Sequence, residues 1–347
     1  MSAETIPNHI IKHSKEDPEI LLREELTNRF GNRFLQYRKR YEEYLKDTDH
    51  KINYDYPMTV VLELVNRCNL ECVMCYQGWR NDAKKSQLND EELDKLFKDF
   101  KDNGLDSLMI SISEPLLYKG ISRVLDRAKE ANIMDIFLFT NGSLLNSKNA
   151  EMILNSNITR LFVSIDGATK KSYDDVRVPV SKRLLKTDRL EDLENNIKNF
   201  MNKRNSLNKV LPLVRTSFVA LKENHHEIEL FKNKWLKIVD SVEIQREVSV
   251  TAYDKIIEKK VGERKLDKYN CQEPWGQLGI YSDGSVAPCC NIVGRNDPIG
   301  NIKENTVKEI WNGIKMNKIR DGFRNNEPNK VCQTCIESSS SELYKSS

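Results

Sequence analysis

The sequence lacks an excess of charge of either sign. Its 347 residues include 55 Lys and Arg against 52 Asp and Glu, which leaves a formal net charge of +3. Proteins that bind nucleic acids or membrane surfaces commonly carry a strong basic field or a basic patch. The composition therefore disfavours a strongly basic binder, and we predict neither nucleic acid nor a membrane as a partner.

Long hydrophobic runs are also absent. No stretch approaches the roughly 20 apolar residues that a membrane-spanning helix needs, and the N-terminal sequence MSAETIPNHIIKHSKEDPEI contains no apolar core of a secretory signal. Disulfide-stabilised folds are typical of secreted proteins, so we expect a cytoplasmic protein with reduced cysteines. With 39% hydrophobic and 31% charged residues, the chain suits one large globular domain and a small one.

Cysteine is missing from residues 76–270, which separates two cysteine groups and predicts two sites. In the first group, Cys68, Cys72 and Cys75 form CxxxCxxC directly after an apolar segment. Iron–sulfur clusters are held by Cys thiolates, and a closed four-iron site takes four, so three thiolates leave one iron open to a substrate or cofactor. A zinc site is the alternative, but zinc would need a fourth ligand nearby, and no His lies between Cys75 and His225.

The CxxxCxxC spacing, followed by the aromatic Tyr76, resembles the cysteine loop of radical S-adenosylmethionine (radical SAM) enzymes. The resemblance implies a 4Fe–4S cluster whose open iron binds the amino and carboxylate groups of S-adenosylmethionine (SAM). It further implies that one electron from the reduced cluster cleaves SAM to methionine and a 5′-deoxyadenosyl radical, which abstracts hydrogen from the substrate. The partner that this chemistry implies is a one-electron reductase such as flavodoxin or ferredoxin.

The second group resembles the SPASM and twitch extensions of radical SAM enzymes through Cys271, Cys289, Cys332 and Cys335. The resemblance implies one closed auxiliary 4Fe–4S cluster of the shortened twitch type, nearest in pattern to the dehydrogenase of aminoglycoside (2-deoxystreptamine) biosynthesis. A structural zinc knuckle is the alternative by ligand type. Cys290 remains over, and it could replace Cys289 as a ligand, donate hydrogen to a substrate radical, or be an ordinary buried thiol.

Short apolar segments alternate with amphipathic helical patterns in the middle of the chain. The predicted strands are 60–64, 108–112, 136–139, 161–165, 214–219 and 242–244, and the predicted helices are 89–101, 120–131, 147–155, 188–204 and 226–238. Such alternation predicts parallel βαβ units in an α/β fold, and residues 57–246 resemble the partial (β/α)6 barrel of radical SAM enzymes. Barrel sites lie at the carboxyl ends of the strands, which is where the cysteine loop stands.

The remaining segments complete the predicted organisation. Residues 1–56 are predicted as a helical N-terminal arm, 247–270 as a linker, 271–337 as a small α+β domain of twitch or SPASM type, and 338–347 as a disordered tail. Within the small domain, residues 278–287 predict a hairpin with an Asp-Gly turn, and residues 305–320 predict a helix.

Residues after the second and third predicted strands extend the resemblance. Ser113 and Glu114, in the run Ser-Ile-Ser-Glu-Pro, stand where the family has Gly-Gly-Glu-Pro, which implies that they hold the SAM amino group. Both glycines are replaced, and because glycine allows close approach of the backbone to a ligand, the tightness of this turn is in question. Asn141 stands where the family binds SAM, although Asn-Gly is also an ordinary turn sequence.

Four further candidates lie on later strands. Ser164 and Asp166 stand at SAM-binding positions after the fourth strand, where Asp-Gly is again turn chemistry. Arg215 could pair with the SAM carboxylate, since Arg binds carboxylates through two donors, or it could form a salt bridge elsewhere. Gln245 is expected to contact substrate or adenine.

A charged segment follows the fourth strand. Tyr173–Arg177, with Lys182 and Arg183 beyond it, either covers the mouth of the barrel and contacts an anionic substrate or forms a solvated loop. Charge runs are more often solvated, which favours the second interpretation. No acid or base residue is predicted, because none of the five His residues stands at the end of a predicted strand.

The reaction that the resemblance implies is oxidation of a secondary alcohol of a sugar, cyclitol or sugar conjugate, with the auxiliary cluster as electron acceptor. Two other reactions stay open: epimerisation of a sugar, with Cys290 as the hydrogen donor, and modification of a peptide. The predicted helical N-terminus, in place of a winged helix, disfavours the peptide. A non-catalytic electron-transfer or scaffold protein also stays open, because the altered Gly-Gly-Glu-Pro sequence weakens the SAM site.

Overall fold

The computed structural model describes most of the chain. The described residues are 9–14, 17–75, 85–183, 187–246, 268–289, 295 and 297–343. Cys290 and most of the predicted linker 247–270 lie outside the described residues. Among the described residues, no helix is both long and apolar enough to span a bilayer.

A ten-stranded sheet forms the centre of the fold. The strands are β1 (His9–His13), β2 (Thr59–Leu62), β3 (Ser107–Ile110), β4 (Asp135–Thr140), β5 (Arg160–Ser164), β6 (Leu213–Ala220), β7 (Ser241–Arg246), β8 (Gln277–Ile280), β9 (Ser285–Ala287) and β10 (Gly300–Asn301). They lie in the order β1-β7-β6-β5-β4-β3-β2-β8-β9-β10.

Strands β2 to β7 are parallel, and each pairs with the next along the chain. Parallel neighbours need crossover connections, which helices supply here. The side chains that face these helices are apolar and inaccessible, as Leu108 and Ile110 of β3 and Ile136 and Leu138 of β4 show. The predicted partial barrel is confirmed.

Helices precede, connect and follow the strands along the chain. They are α1 (Pro18–Phe30), α2 (Asn32–Lys46), α3 (Asp90–Asn103), α4 (Ile121–Glu130), α5 (Ser147–Asn155), α6 (Lys170–Val176), α7 (Arg189–Ser206), α8 (Ile228–Trp235), α9 (Glu273–Gly276), α10 (Val307–Trp311), α11 (Ile314–Arg324) and α12 (Lys330–Leu343). Local sequence explains their limits, as in α3, where Asn89 and Glu92 form a capping box and Gly104 ends the helix in the left-handed conformation.

The N-terminal segment contains a strand that the helical prediction for residues 1–56 did not include. β1 pairs antiparallel with β7, because β7 would otherwise leave a row of unpaired backbone groups at the edge of the sheet. The helical part of the prediction is present as α1 and α2, which are separated at Gly31 by a left-handed φ of 56°.

The C-terminal segment joins the same sheet. β8 pairs in parallel with β2, and β8 and β9 form the predicted antiparallel hairpin, with Gly284 at a φ of 89° in its turn. The helix predicted for 305–320 is divided into α10 and α11 at Gly313. α12 extends to Leu343, into the tail predicted as disordered from residue 338. Because the sheet is continuous, the domain limits stay a prediction.

Candidate active site at the carboxyl ends of the strands

The cysteine loop, residues 68–75, follows β2 and is held by a second segment. We call this second segment, residues 176–180, the clamp. It runs from the end of α6 and pairs antiparallel with the loop. The backbone hydrogen bonds are Glu71 N to Val178 O at 2.7 Å, Val73 N to Val176 O at 3.1 Å and Val180 N to Asn69 O at 3.1 Å. The loop therefore has a fixed backbone frame on which its thiols stand.

The thiols of the loop are mostly removed from water. Burial raises the pKa of Cys68 to about 12, and burial also raises the pKa of Cys72, against the lowering effect of Arg177. The backbone N–H of Cys75 donates to Cys72 O at 2.9 Å, which closes the turn between them. A coordinated metal deprotonates a thiol outright, so these buried thiols fit an iron-bound role better than a free reactive one.

Two side chains donate hydrogen bonds to the sulfur atoms. Arg177 Nη1 lies 3.5 Å from Cys72 Sγ, and Asn141 Nδ2 lies 3.8 Å from Cys68 Sγ. Such outer contacts orient metal ligands and tune the metal. Asn141 was a predicted site residue, and the structure brings it to the cysteine loop.

Arg177 corrects the interpretation of Tyr173–Arg177 as a solvated loop. Tyr173 is 1% exposed and Arg177 is buried against Cys72 and Asp166. The apolar residues Tyr173 and Val176, spaced three apart, were the signal of a buried helix face that the charged residues between them obscured. Lys182 and Arg183 are exposed, as the solvated interpretation expects.

Glu114 links the ends of β3 and β4. Its buried carboxylate accepts hydrogen bonds from Thr140 Oγ1 at 2.8 Å, Leu116 N at 3.1 Å and Asn141 N at 2.8 Å. Burial raises the pKa of Glu114, and these donors oppose the rise. A carboxylate offers about four acceptor positions, and three donors are seen among the described residues, so the role of Glu114 toward the SAM amino group stays a prediction.

The turn before Glu114 keeps the backbone shape that glycine favours. Ile112 and Ser113 have φ values of 64° and 55°, in the left-handed region where a β-branched residue is an outlier. Strained backbone of this kind clusters at ligand sites. The turn is therefore tight despite the loss of both glycines, and Ser113 also donates to Glu63 Oε1 at 3.1 Å.

The remaining predicted residues differ in their surroundings. Asp166 is inaccessible, pairs with Arg177 and accepts from Val219 N at 2.7 Å, so its carboxylate is engaged by protein groups. Ser164 lies on β5 with its Oγ 3.4 Å from that of Ser217. Gln245 lies on β7 opposite Val219 in the register and is partly accessible. The roles of all three toward SAM stay predictions.

Arg215 has the salt-bridge partners that the sequence left open. Its guanidinium lies 3.8 Å from both Glu19 and Glu243, donates to Ser241 Oγ at 3.2 Å and stacks on Phe162 with a centroid distance of 4.7 Å. None of these partners belongs to the cysteine loop. The salt-bridge alternative thus has partners in the structure, and the role of Arg215 toward the SAM carboxylate stays a prediction.

Glu63 was not among the predicted site residues. It directly follows β2, is inaccessible, and accepts from Ser282 N at 3.0 Å and from Ser282 Oγ at 2.8 Å. Arg295 pairs with its other oxygen at 3.2 Å. The signal in the sequence was a single charged residue inside the apolar segment 60–64. Glu63 thus ties the cysteine-loop side of the barrel to the β8–β9 hairpin.

The second cysteine group lines one cavity. Cys271, Cys289, Cys332 and Cys335 face it together with apolar side chains such as Phe323. Burial raises the pKa of Cys271 and of Cys332 to about 12, so these thiols also need a bound metal to ionise. Four cysteines around one cavity fit the ligand set of a closed iron–sulfur cluster.

The cysteines of both groups carry no disulfide within the described part of the chain. Across the same residues, no three Cys, His, Asp or Glu side chains converge as the ligands of a single metal ion would. A four-iron cluster takes one thiolate on each iron, so its ligands need not meet at one point.

Family models match both sites. The Radical SAM superfamily model matches residues 62–232, and the model of the SPASM iron–sulfur cluster-binding domain matches residues 271–336. The chain is therefore a radical SAM protein with a C-terminal SPASM domain, as the cysteine patterns predicted. Its cofactors are SAM, a 4Fe–4S cluster at the cysteine loop and an auxiliary iron–sulfur cluster.

A curated relative shares part of the barrel. A probable GTP 3′,8-cyclase of Methanococcus maripaludis (strain C5 / ATCC BAA-1333) is 31% identical over 117 residues, which are 34% of this chain and 39% of the relative. This chain thus matches about 39% of that relative's length, so the similarity concerns a shared segment of the two proteins.

Solved structures share the fold over most of the chain. Streptococcus suis SuiB bound to precursor peptide SuiA has a TM-score of 0.58 at 16% identity, over 84% of this chain and 71% of that one. BtrN in complex with AdoMet and 2-DOIA has a TM-score of 0.50 at 15% identity, over 81% of this chain and 93% of that one. At such identities the similarity shows the fold.

Proposed function

We propose that this chain is an oxidoreductase that oxidises a secondary alcohol of a sugar, cyclitol or sugar conjugate, with the auxiliary cluster as electron acceptor. When bound, the cysteine-loop cluster and SAM supply abstraction of a hydrogen atom from carbon. The observation that carries the proposal is the single cavity lined by Cys271, Cys289, Cys332 and Cys335. With four protein ligands, no iron of the cluster is left free to bind substrate. Such a cluster suits electron transfer.

The chain's own residues hold and orient the reactants in this proposal. Cys68, Cys72 and Cys75 hold the first cluster in the frame of the clamp. The strained turn at Ile112 and Ser113 presents backbone polar groups for the SAM amino group, and the carboxylate of Glu114 fixes that turn against β4. Asn141, Ser164 and Gln245 complete the proposed SAM and substrate contacts.

Asp166 has a different part in this proposal. Its carboxylate is engaged by Arg177 and by the backbone N–H of Val219, so we assign it to support of the mouth of the barrel rather than to a direct SAM contact. Phe139 of β4 and Phe162 of β5 pack edge to face, with ring centroids 4.7 Å apart. Arg215 stacks on Phe162, so this wall of the barrel combines aromatic and charged side chains.

Fold similarity supports two candidate substrates. BtrN in complex with AdoMet and 2-DOIA supports the cyclitol, whereas SuiB with its precursor peptide has the higher TM-score and makes peptide modification the second candidate. The cyclase relatives match over too short a segment to carry a cyclase proposal. Epimerisation would need Cys290, which lies outside the described residues.

The partner proposed for the reaction is a one-electron reductase such as flavodoxin or ferredoxin, since the first cluster must be reduced before each SAM cleavage. Cysteines that hold iron–sulfur clusters must stay reduced, and the cytosol keeps thiols reduced, so a cytoplasmic location belongs to the proposal.

The test is an anaerobic product assay with the reconstituted protein. Cyclitols and hexoses deuterated at their carbinol carbons are incubated with SAM and dithionite, and short peptides are incubated in parallel. Deuterium in 5′-deoxyadenosine together with a carbonyl product supports alcohol oxidation. A recovered alcohol with inverted configuration would replace the proposal by epimerisation, and a cross-linked peptide would replace it by peptide modification. Absence of SAM cleavage would favour a non-catalytic iron–sulfur protein.

A further inference from the structure

Arg177 connects the cysteine loop to a buried carboxylate. Its Nη1 donates to Cys72 Sγ at 3.5 Å, and its Nη2 forms an ion pair with Asp166 Oδ2. The side chains of Arg177 and Asp166 are 11% and 0% exposed. Buried charges are screened much less than exposed ones, so both charges bear on Cys72, Arg177 through its hydrogen bond to the sulfur and Asp166 from beside Arg177.

Asp166 is held beside Arg177 by groups of its own. Its Oδ1 accepts from Val219 N at 2.7 Å, and its backbone carbonyl accepts from Asn224 Nδ2 at 2.8 Å. Its φ of 61° lies in the left-handed region, which Asp and Asn adopt more readily than most residues. The position of the Asp166 carboxylate is therefore fixed by contacts other than its ion pair with Arg177.

We propose that Arg177 and Asp166 together set the reduction potential of the cysteine-loop cluster, Arg177 raising it and Asp166 lowering it. Reduction adds one electron, and hydrogen bonds to sulfur, net charge and solvent exposure are among the factors that set a cluster's potential. A guanidinium that donates to Cys72 stabilises the added electron, whereas the carboxylate of Asp166 opposes it. Both are positioning residues, since they act through a ligand of the cluster.

The inference rests on the cluster at the cysteine loop, and it is independent of the substrate class proposed above. A purely structural role for Arg177 makes a different prediction. Its backbone carbonyl accepts from Arg189 Nη1 at 2.7 Å, so this arginine also sits in a network that braces the clamp. Loss of bracing would impair folding or cluster assembly, but it would not move the potential in opposite directions for two opposite charges.

Arg189 offers the matched control. It is as buried as Arg177, pairs with Asp174 of α6 and stacks on Tyr173 with a distance of 5.1 Å to the ring centroid. Its described partners include no cysteine. Arg189→Gln therefore removes a buried guanidinium that braces the clamp without removing a hydrogen bond to a cluster ligand.

The experiment is a redox titration followed by electron paramagnetic resonance. Wild type, Arg177→Gln, Asp166→Asn and Arg189→Gln are reconstituted with iron and sulfide, and the midpoint potentials of both clusters are read in each sample. Asn at position 166 keeps the acceptor for Val219 N and tolerates the left-handed backbone. The auxiliary cluster serves as an internal reference in every titration.

At the wild-type midpoint, we expect the ratio of reduced to oxidised cluster to fall about tenfold in Arg177→Gln and to rise about tenfold in Asp166→Asn. Each change corresponds to about 59 mV for a one-electron couple. Arg189→Gln and the auxiliary cluster should keep their potentials.

Several results would overturn the inference. Unchanged potentials in both variants, or shifts in the same direction, would do so. If Arg177→Gln does not fold, Asp166→Asn decides alone, and an unchanged potential there overturns it. Absence of iron from the cysteine loop of the wild type would remove this inference and the proposed chemistry together. Opposite shifts without alcohol oxidation would support the inference and remove only the proposed substrate.

Discussion

Glu63 and Arg295 form an ion pair of 3.2 Å whose side chains are 0% and 7% exposed. One partner follows the first strand of the barrel, and the other belongs to the segment between the β8–β9 hairpin and β10. Arg295 also stacks on Tyr281, with its guanidinium 4.6 Å from the ring centroid. The pair thus joins the side of the barrel that carries the cysteine loop to the SPASM domain through charge, hydrogen bonds and stacking.

Removal of the charge at Glu63 should destabilise the junction. In Glu63→Gln the buried guanidinium of Arg295 loses its counter-charge, and breaking a buried pair in this way costs about 3–5 kcal/mol. Urea unfolding of the cluster-free protein measures the change. Glu91→Gln removes one partner of the exposed pair with Lys95 and should have a small effect. Addition of Arg295→Met to Glu63→Gln should recover much of the loss, and a loss no larger than that of Glu91→Gln would contradict the assignment.

The strained turn at Ile112 should reverse the usual order of stability of an alanine and a glycine variant. Alanine normally stabilises a chain relative to glycine by about 0.5–1 kcal/mol, but a left-handed φ penalises any Cβ by about 1–2 kcal/mol. Ile112→Gly should therefore be more stable than Ile112→Ala, because φ at this position is 64°. Ile110 of β3 is the control, since there Ala should be the more stable. The usual order at both positions would show that the turn relaxes.

The barrel was predictable because each of its strands and helices is indicated by a pattern in its own short segment of sequence. Parallel strands buried on both faces appear as apolar runs, and α5 (Ser147–Asn155) coincides with its predicted range. β1 was missed because it forms by pairing with the edge of β7. The residues that pair are more than 200 positions apart in the sequence.

The residues around the cysteines were predictable only in part. CxxxCxxC and the later cysteines are ligand patterns that need no knowledge of the fold. Arg177 reaches Cys72 across a sequence separation of 105. The spacing of Tyr173 and Val176 could have indicated a buried helix face, but it does not reveal the contact of Arg177 with the cysteine loop. The left-handed backbone at Ile112 was likewise hidden, since neither Ile nor Ser favours it.

The hydrogen bonds of Glu227 to the start of α6, the helix that leads into the clamp, should make the stability of the protein depend on pH. It accepts hydrogen bonds from Ala168 N at 2.7 Å, from Thr169 Oγ1 at 2.6 Å and from Ser172 Oγ. Burial raises the pKa of Glu227, but these donors outweigh burial and hold the pKa below its ordinary value of 4.5. A carboxylate with a lowered folded-state pKa contributes stability above its unfolded pKa, and this contribution is lost as the pH falls through the folded value.

The free-energy difference between wild type and Glu227→Gln should therefore be present in full at about pH 5 and shrink as the pH falls below about 4.5. Unfolding by urea at a series of pH values, with the cluster-free protein, gives this difference, and effects of other carboxylates cancel between the two variants. A difference that grows in acid would show that Glu227 is not stabilised as the anion.

Substitutions at the two cysteine sites should affect SAM cleavage and carbonyl formation differently. Wild type should hold about eight irons in two four-iron clusters, and Cys72→Ala and Cys332→Ala should each retain about four. Cys332→Ala keeps the cysteine loop, so it should still release 5′-deoxyadenosine from SAM under dithionite but form no carbonyl product. Cys72→Ala should release none. Iron analysis and chromatography of the products measure both. If Cys332→Ala keeps about eight irons, another group replaces the lost ligand, and Cys290 is the first to test. If Cys332→Ala loses iron but still forms the carbonyl product, the auxiliary cluster is not the electron acceptor.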